Sequence, residues 1–285
     1  MKTGSIPRIN WLMSGVWIGS FIICYYQTFL WLHYKYSQQD SYYSHGYLIP
    51  FVSAVIIYLG KGKLAEVEKT IDSIGLGLIV FALVSHIVGT IADINFFSGF
   101  SMFFYILGAS LYLLGREATK HIAFPIAFLL FMFPIPDAVL NYLGLPTKYL
   151  ATAFGLKIID LIGIPTLQEG FRITLTNTSL VVGTPCNGMK SLISFAALGV
   201  LFVHFADLKV WKGLIILGCI YPMAVLLNGL RIAILVYIAA NYGMEKASAE
   251  SYLHDLSGMV VFVLGFLALL VFVRISGGMK KGPDG

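Results

Sequence analysis

Three side chains of this 285-residue chain have the chemistry that acyl transfer requires: the thiol of Cys186, the guanidinium of Arg231 and the imidazole of His254. A thiolate attacks a peptide carbonyl, an imidazole accepts a proton and returns it to the leaving group, and a guanidinium stabilises the oxyanion of the tetrahedral intermediate. These residues are far apart in the sequence. The elements that carry them must bring them together if this chemistry is to occur.

Cys186 lies where a polar, strand-like segment ends and an apolar run to Val203 begins. If the run is a helix, Cys186 lies at its N-terminal end, where unsatisfied N–H groups and the macrodipole stabilise a thiolate. Lys190, four residues further on, would lie one turn deeper on the same face, and its ammonium would favour the thiolate as well. We expect Lys190, Asn187 and Gly188 to support the site.

Each candidate residue also has a structural interpretation. Cysteine is commonly a small buried hydrophobe, so Cys186 taken alone favours structure over catalysis. Arg231 favours function, because charges inside membrane spans are rare and usually face a partner or a cavity. His254 alone is equally consistent with an interfacial histidine. Asn228 could orient the guanidinium or a substrate carbonyl, and Gly258, four residues after His254, would leave space beside the imidazole.

The composition is that of an integral membrane protein, since 58% of the residues are hydrophobic and 12% are charged, against about 25% charged in soluble proteins. We predict an all-α polytopic fold in a single domain, residues 1–285. The three cysteines, Cys24, Cys186 and Cys219, form no disulfide framework or metal spacing, so we expect no metal and no cofactor. The net charge of +5 is explained mainly by membrane topology, and nucleic acid is not an expected partner.

About eight transmembrane helices are predicted, and the short loops rich in Lys and Arg place both termini in the cytoplasm. The predicted spans are, approximately, Trp11–Leu32, Tyr47–Leu59 with its flanks, Ile71–Ile91, Phe96–Leu114, His121–Leu140, Asn187–His204, Gly213–Ala240, and a last span that begins at His254. This topology puts Cys186, Arg231 and His254 at similar depth near the outer face of the cytoplasmic membrane.

Two further elements are predicted outside the spans. Residues Asn141 to Pro165, whose apolar pattern contains Lys148, Lys157 and Asp160, are interpreted as an amphipathic or re-entrant helix on the outer face. The segment from Gly170 to Val182 alternates apolar residues with Thr and Ser on either side of a polar turn, which predicts a short β-hairpin that leads to Cys186. Pro134 and Pro136 are expected to interrupt the fifth span.

The motifs occur in the order found in the exosortase/archaeosortase family, and the sequence resembles that family over most of its length. The motifs are Tyr43-Ser44-His45-Gly46-Tyr47-Leu48-Ile49-Pro50, Phe133-Pro134-Ile135-Pro136, Gly163-Ile164-Pro165, Cys186-Asn187-Gly188, Asn228-Gly229-Leu230-Arg231-Ile232, and His254 followed by Gly258. The resemblance implies a membrane-embedded cysteine transpeptidase with Cys186, Arg231 and His254 as its triad. His45 is taken as a supporting residue.

The resemblance also implies the partners. They would be secreted proteins that end in a sorting signal made of a polar motif, a transmembrane helix and a basic tail, with membrane lipid around the enzyme. The alternative is a transporter or channel that uses Arg231 and Lys190 to bind an anionic solute. The cysteine at a helix start, on the same side as His254, favours the enzyme, because a transporter does not need a thiol. A purely structural scaffold is the third interpretation.

Overall fold

The protein is described here from a computed structural model, in which residues 11–38, 41–183, 188–206 and 208–277 are described. The chain divides into two compact units, Met1–Pro136 and Asp137–Gly285. Arg231 and His254 both belong to the second unit. His45 belongs to the first unit.

The described part of the first unit is built from helices. In chain order they are α1 (Trp11–Cys24), α2 (Tyr26–Ser37), a 3-10 turn at Ser44–Tyr47, α3 (Leu48–Leu59), α4 (Lys61–Glu66), α5 (Ser73–Ile91), α6 (Asn95–His121), α7 (Ala123–Phe128) and a 3-10 turn at Leu129–Met132.

Helices α5 and α6 pack so closely that their backbones approach each other at glycine residues. A Cβ added to Gly108 would lie 2.8 Å from the carbonyl oxygen of Gly75 and 2.9 Å from the backbone nitrogen of Ile79. Small residues allow such an approach between membrane helices. The spans predicted at Ile71–Ile91 and Phe96–Leu114 correspond to α5 and α6 and are joined by a short turn, since α5 ends at Ile91 and α6 begins at Asn95.

The described part of the second unit contains five helices and a small sheet. In chain order they are α8 (Asp137–Ile162), β1 (Leu167–Glu169), β2 (Arg172–Thr174), β3 (Ser179–Val181), α9 (Met189–Phe205), α10 (Val210–Tyr242), α11 (Met244–Ala247) and α12 (Tyr252–Ile275).

The sheet is antiparallel with the strand order β1-β2-β3, so the predicted β-hairpin is present as β2 and β3. Its inner face is buried: Ile173 and Leu180 lie opposite each other in the register and pack with Ile232 and Val236 of α10. The sequence analysis missed β1. All three residues of that strand are exposed, so they lack the alternation that reveals a half-buried strand.

The boundary predicted between a fifth span and a re-entrant helix was wrong. Residues 137–162 form one continuous helix, α8, and the predicted boundary at Leu140 falls inside it. Lysine is a good helix former. Lys157 lies on the exposed face of α8, and the Lys148 ammonium lies 4.1 Å from the centre of the Phe171 ring. The charges therefore do not interrupt the helix. The predicted interruption at Pro134 and Pro136 is confirmed, since both lie between Met132 and α8.

Helices α8 and α10 approach closely at two glycines. A Cβ on Gly155 would lie 2.6 Å from the carbonyl oxygen of Gly229, and a Cβ on Gly229 would lie 2.8 Å from that of Ala151. Elsewhere in this unit, Phe195 of α9 stacks on Phe262 of α12 with ring centres 5.2 Å apart. These contacts hold α10, which carries Asn228 and Arg231, between its neighbours.

Four described helices are long and apolar enough to cross a membrane: Ser73–Ile91, Asn95–His121, Val210–Tyr242 and Tyr252–Ile275. A fifth is obtained if Ala123–Met132 and Asp137–Ile162 count as one broken span. The chain is therefore a multi-pass helical membrane protein, but the described helices do not reach the predicted count of eight. The first predicted span is divided near Tyr25 into α1 and α2, and Ser44–Leu59 and Met189–Phe205 are apolar but short.

Candidate active site

Arg231 and His254 are brought together by α10 and α12. Arg231 is half-buried in the second half of α10, whereas His254 lies in the first turn of α12 and is only 8% exposed. The Ser251 hydroxyl accepts a hydrogen bond from the Leu253 N–H at 3.2 Å and so caps α12. The cap fixes the turn that carries His254.

The guanidinium of Arg231 lies against the backbone of the first turn of α12. Its Nη2 donates to the carbonyl oxygen of His254 at 3.5 Å, and its Nε donates to the hydroxyl of Ser257 at 3.5 Å. Ser257 in turn donates to the His254 carbonyl oxygen at 2.7 Å. The Ser257 hydroxyl therefore links the Arg231 side chain to the backbone of His254. The sequence analysis missed it, although its i+3 spacing from His254 puts both on one helical face.

Gly258 accommodates Arg231. A Cβ added at this glycine would lie 3.1 Å from Nη2 and 3.2 Å from Cζ of the guanidinium. All three of the nearest atoms to that position belong to Arg231, and the space expected beside the His254 imidazole stays a prediction. Gly258 thus positions the arginine.

The imidazole of His254 is oriented by α11. Its Nδ1 lies 3.4 Å from the carbonyl oxygen of Ala247, a distance that suits donation from Nδ1–H. We assign this tautomer from the contact, and it leaves Nε2 with the lone pair. In this tautomer Nε2, and not Nδ1, is the ring nitrogen with the capacity to accept a proton.

Asn228 lies beside Gly188, which immediately precedes α9. Asn228 is buried, and its Nδ2 is 3.4 Å from the position that a Cβ on Gly188 would occupy. Gly188 has a φ of +76°, a left-handed conformation that favours glycine, and a Cβ there would also lie 3.2 Å from Cγ2 of Thr147. The Cys-x-Gly motif therefore ends at a glycine that its surroundings require.

Cys186 and Asn187 lie outside the described residues. The described residues on either side of them both adjoin the site: Gly183 lines a cavity together with His254, and Gly188 lies beside Asn228. Helix α9 begins at Met189, and the predicted i, i+4 relation between Cys186 and Lys190 involves a residue outside the described part of the chain. Lys190 is exposed in its first turn.

A cavity of about 90 Å³ lies beside His254. One wall is the chain from Leu180 to Gly183, which continues β3. The other lining residues include Ala247, Ser248 and Ala249, from the end of α11 onward, and Ile232 and Leu235 of the helix α10. The lining is mainly apolar. The described residues contain no group of three or more His, Cys, Asp or Glu that could hold a metal ion.

His45 lies in a separate arrangement within the first unit. It is half-buried, and its ring centre is 6.0 Å from that of Tyr43. The Tyr43 hydroxyl accepts a hydrogen bond from the Ile135 N–H at 3.1 Å, and Tyr36 donates to the carbonyl oxygen of Met132 at 2.6 Å. The early Ser-His-Gly motif and the Phe-Pro-x-Pro motif therefore pack against each other.

Residues 31–271 match the sequence model of the family described as transmembrane exosortase. The match covers most of the chain and includes all the motifs and the Arg231–His254 arrangement. The chain belongs to the transmembrane exosortase family. Members of this family are transmembrane transpeptidases that act on secreted proteins with C-terminal sorting signals. No curated protein and no solved structure matches the chain.

Proposed function

We propose that this exosortase family member is a cysteine transpeptidase that forms a thioester with its substrate through Cys186. The observation that carries the proposal is the anchoring of the Arg231 guanidinium on the His254 backbone, with Ser257 bonded to both. A preorganised charge beside a proton acceptor is the arrangement that acyl transfer needs. Cys186 supplies the nucleophile because its motif leads into Gly188, next to Asn228.

The proposed reaction has two halves. His254 takes the proton of the Cys186 thiol, and the thiolate attacks the carbonyl carbon. Arg231 donates hydrogen bonds to the resulting oxyanion, and the C–N bond breaks as protonated His254 gives this proton to the leaving amine. This leaves a thioester on Cys186. The nucleophile of the acceptor then attacks the thioester and gives its proton to His254, and the thiolate leaves. The product is a new bond between substrate and acceptor.

The proposed substrates are secreted proteins that end in a polar motif, an apolar helix and a basic tail. Such a tail would hold the scissile bond at the depth of a site near the outer face of the cytoplasmic membrane. Cleavage just outside the helix would leave the anchor behind and transfer the protein to a cell-surface acceptor. A site shielded from bulk water favours transfer over hydrolysis.

The orientation is part of the proposal: both termini are cytoplasmic and Cys186 is outside. In a variant with Cys24→Ala and Cys219→Ala, a membrane-impermeant maleimide should modify Cys186 in intact cells. Modification only after lysis would reverse the orientation.

A transporter that binds an anionic solute through Arg231 and Lys190 is the alternative function, and it predicts solute uptake that survives Cys186→Ala.

The proposed function is tested by mass spectrometry of the C-terminus of a secreted host protein with such a tail. Cys186→Ala should leave its anchor intact. Cys219→Ala, which removes the half-buried thiol of α10, is the matched control and should process the tail normally. Removal of the anchor by the Cys186→Ala variant would contradict the proposal.

A further inference from the structure

The edge of β3 lies next to His254 and has backbone groups that point away from the sheet. We propose that the extended segment of the substrate adds to this edge as a fourth strand and so places its scissile bond beside His254. The inference rests on the proposed function and adds the way in which the substrate is bound. Strand addition to a sheet edge is a general mode of peptide recognition, in which backbone hydrogen bonds supply affinity and alternate side chains supply specificity.

The hydrogen bonds between β2 and β3 show which groups of β3 face outward. The Val182 N–H donates to the Phe171 oxygen at 2.9 Å, and the Leu175 N–H donates to the Thr178 oxygen at 2.8 Å. In an antiparallel ladder every second residue bonds to the neighbouring strand. The backbone groups of Leu180 therefore face β2 as well. Those of the intervening residues, Val181 among them, face the opposite edge.

No described strand pairs with the outward edge of β3, and the strand is held by its buried face. Within the described residues the sheet ends at β3, which has β2 as its neighbour on one side only. The Val181 side chain is 58% exposed, whereas Leu180 is 6% exposed and belongs to the core between α8 and α10. A strand anchored in this way offers a rigid template, which lowers the entropy cost of ordering a peptide beside it.

The position of the cavity favours β3 over the other sheet edge, which is β1. The cavity is lined by residues 180–183, which include the end of β3, and by His254, and β1 contributes no residue to its lining. A peptide strand laid along the Val181 backbone would therefore pass between β3 and the segment from Ala247 to Ala249. This places a peptide bond of the substrate within the same cleft as the imidazole.

The cavity also predicts the chemistry of one substrate side chain. Side chains of a strand alternate between its two faces, and directly opposite residues share a face. The substrate residue opposite Val181 would point to the exposed face, and its neighbour in the chain would point to the face of Leu180. That face meets a mainly apolar cavity of about 90 Å³, which suits a single aliphatic side chain.

Disulfide cross-linking tests strand addition directly. The enzyme carries Val181→Cys with Cys24, Cys186 and Cys219 replaced by Ala, so that substrate binds but is not cut. The probe is the host protein whose processing depends on Cys186, with single cysteines placed in turn through the residues before its apolar helix. Cross-linking should peak at one position, by about tenfold over the positions on either side of it, because directly opposite Cβ atoms of paired strands are about 5 Å apart and the neighbouring side chains point to the other face.

Arg172→Cys is the matched control for the enzyme. Arg172 is exposed and lies directly opposite Val181 in the β2–β3 register, but it is one strand further from the edge. It should cross-link about tenfold less than Val181→Cys, because strands are about 4.8 Å apart. Cross-linking at consecutive positions, at no position, or equally from Arg172→Cys would overturn strand addition.

A second pair of variants examines the backbone itself. Val181→Pro removes the outward N–H and leaves the bonds from β3 to β2, as proline permits only at a sheet edge. Processing should fall about tenfold, the loss expected for one hydrogen bond of roughly 1.4 kcal/mol, whereas Val181→Ala keeps the N–H and should lose less than Val181→Pro. Normal processing by a well-expressed Val181→Pro variant would contradict the proposal. If processing of the substrate did not depend on Cys186, the proposed function itself would be contradicted.

The cavity is tested in the substrate. At the position next to the one that cross-links to Val181→Cys, aspartate should lower processing about tenfold, since a charge cannot be buried in an apolar site without a partner. Aspartate at a position that cross-links should have a smaller effect, because that side chain faces outward. The opposite ranking would show that the cavity does not hold this side chain.

Discussion

Gly258 lies directly against the guanidinium of Arg231, so that a side chain at residue 258 would press on the guanidinium. A Cβ at residue 258 would be 3.1 Å from Nη2, closer than most Cβ atoms approach a neighbouring atom. Since Arg231 also bonds to Ser257 and to the His254 carbonyl oxygen, any shift of the guanidinium changes its relation to the imidazole. Gly258 therefore helps to set the position of the Arg231 guanidinium, which we propose stabilises the oxyanion.

We predict that Gly258→Ala lowers the rate of processing about tenfold or more while the protein still accumulates, because small displacements of a catalytic group are costly. Gly218→Ala is the matched control. It makes the same substitution in α10, where a Cβ would have no heavy atom within 4 Å. Rates of tail cleavage and membrane abundance are compared for the two variants. Equal rates would show that the position of the guanidinium is not important.

Arg231→Lys should fail nearly as badly as Arg231→Ala. Lysine keeps the charge but lacks the planar fork that bonds to Ser257 and the His254 backbone while presenting further donors to an oxyanion. The expected loss is about a hundred- to thousandfold, the usual effect of removing one oxyanion donor. Single-turnover rates at saturating substrate measure it. A near-normal rate in the lysine variant would mean that only the charge matters.

Ser257 is predicted to be a positioning residue. Ser257→Ala removes the hydroxyl that accepts from Arg231 Nε and donates to the His254 carbonyl oxygen. The turnover rate should fall about tenfold, the effect of one hydrogen bond, with little change in KM. Ser257→Thr keeps the hydroxyl and should restore most of the rate. A loss confined to KM, or a threonine variant as slow as alanine, would contradict this role.

Gly188→Ala should lower activity for two reasons: the added Cβ would press on Thr147 and touch Asn228, and the backbone conformation of residue 188 would be strained. The left-handed conformation at φ +76° costs a non-glycine residue about 1–2 kcal/mol. Gly163→Ala is the control, since Gly163 has a φ of +84° but open space around its Cβ position. Both variants should lose similar stability in thermal unfolding. Only Gly188→Ala, next to Asn228, should lose activity, and equal activity losses would rule out a specific role.

Some of this arrangement is predictable from the sequence. A charge inside an apolar run marks Arg231, the start of the last apolar run marks His254, and the alternation from Gly170 to Val182 predicts β2 and β3. These signals depend on neighbouring residues along the chain. The structure brings Arg231 and His254 together, as the topology predicted.

Other features depend on contacts between elements. Ser257 and Gly258 acquire their roles from the side chain of Arg231 on another helix, and local sequence does not reveal that contact. Helix α8 continues past the predicted boundary at Leu140. Within it, the Lys148 ammonium lies against the Phe171 ring and Lys157 faces outward. Local propensity gives no indication of such tertiary partners. For the same reason β1 was missed, since it pairs with β2 without burying a side chain.

The most direct test of the central claim is capture of the thioester. Purified enzyme in lipid vesicles is incubated with its substrate and neutral hydroxylamine, which attacks thioesters, and the released substrate is analysed by mass spectrometry. We predict a hydroxamate at the new C-terminus, formed by the wild-type protein and by Cys219→Ala but not by Cys186→Ala. A cleaved substrate without the hydroxamate, or a hydroxamate formed by the Cys186→Ala protein, would contradict acyl transfer through Cys186.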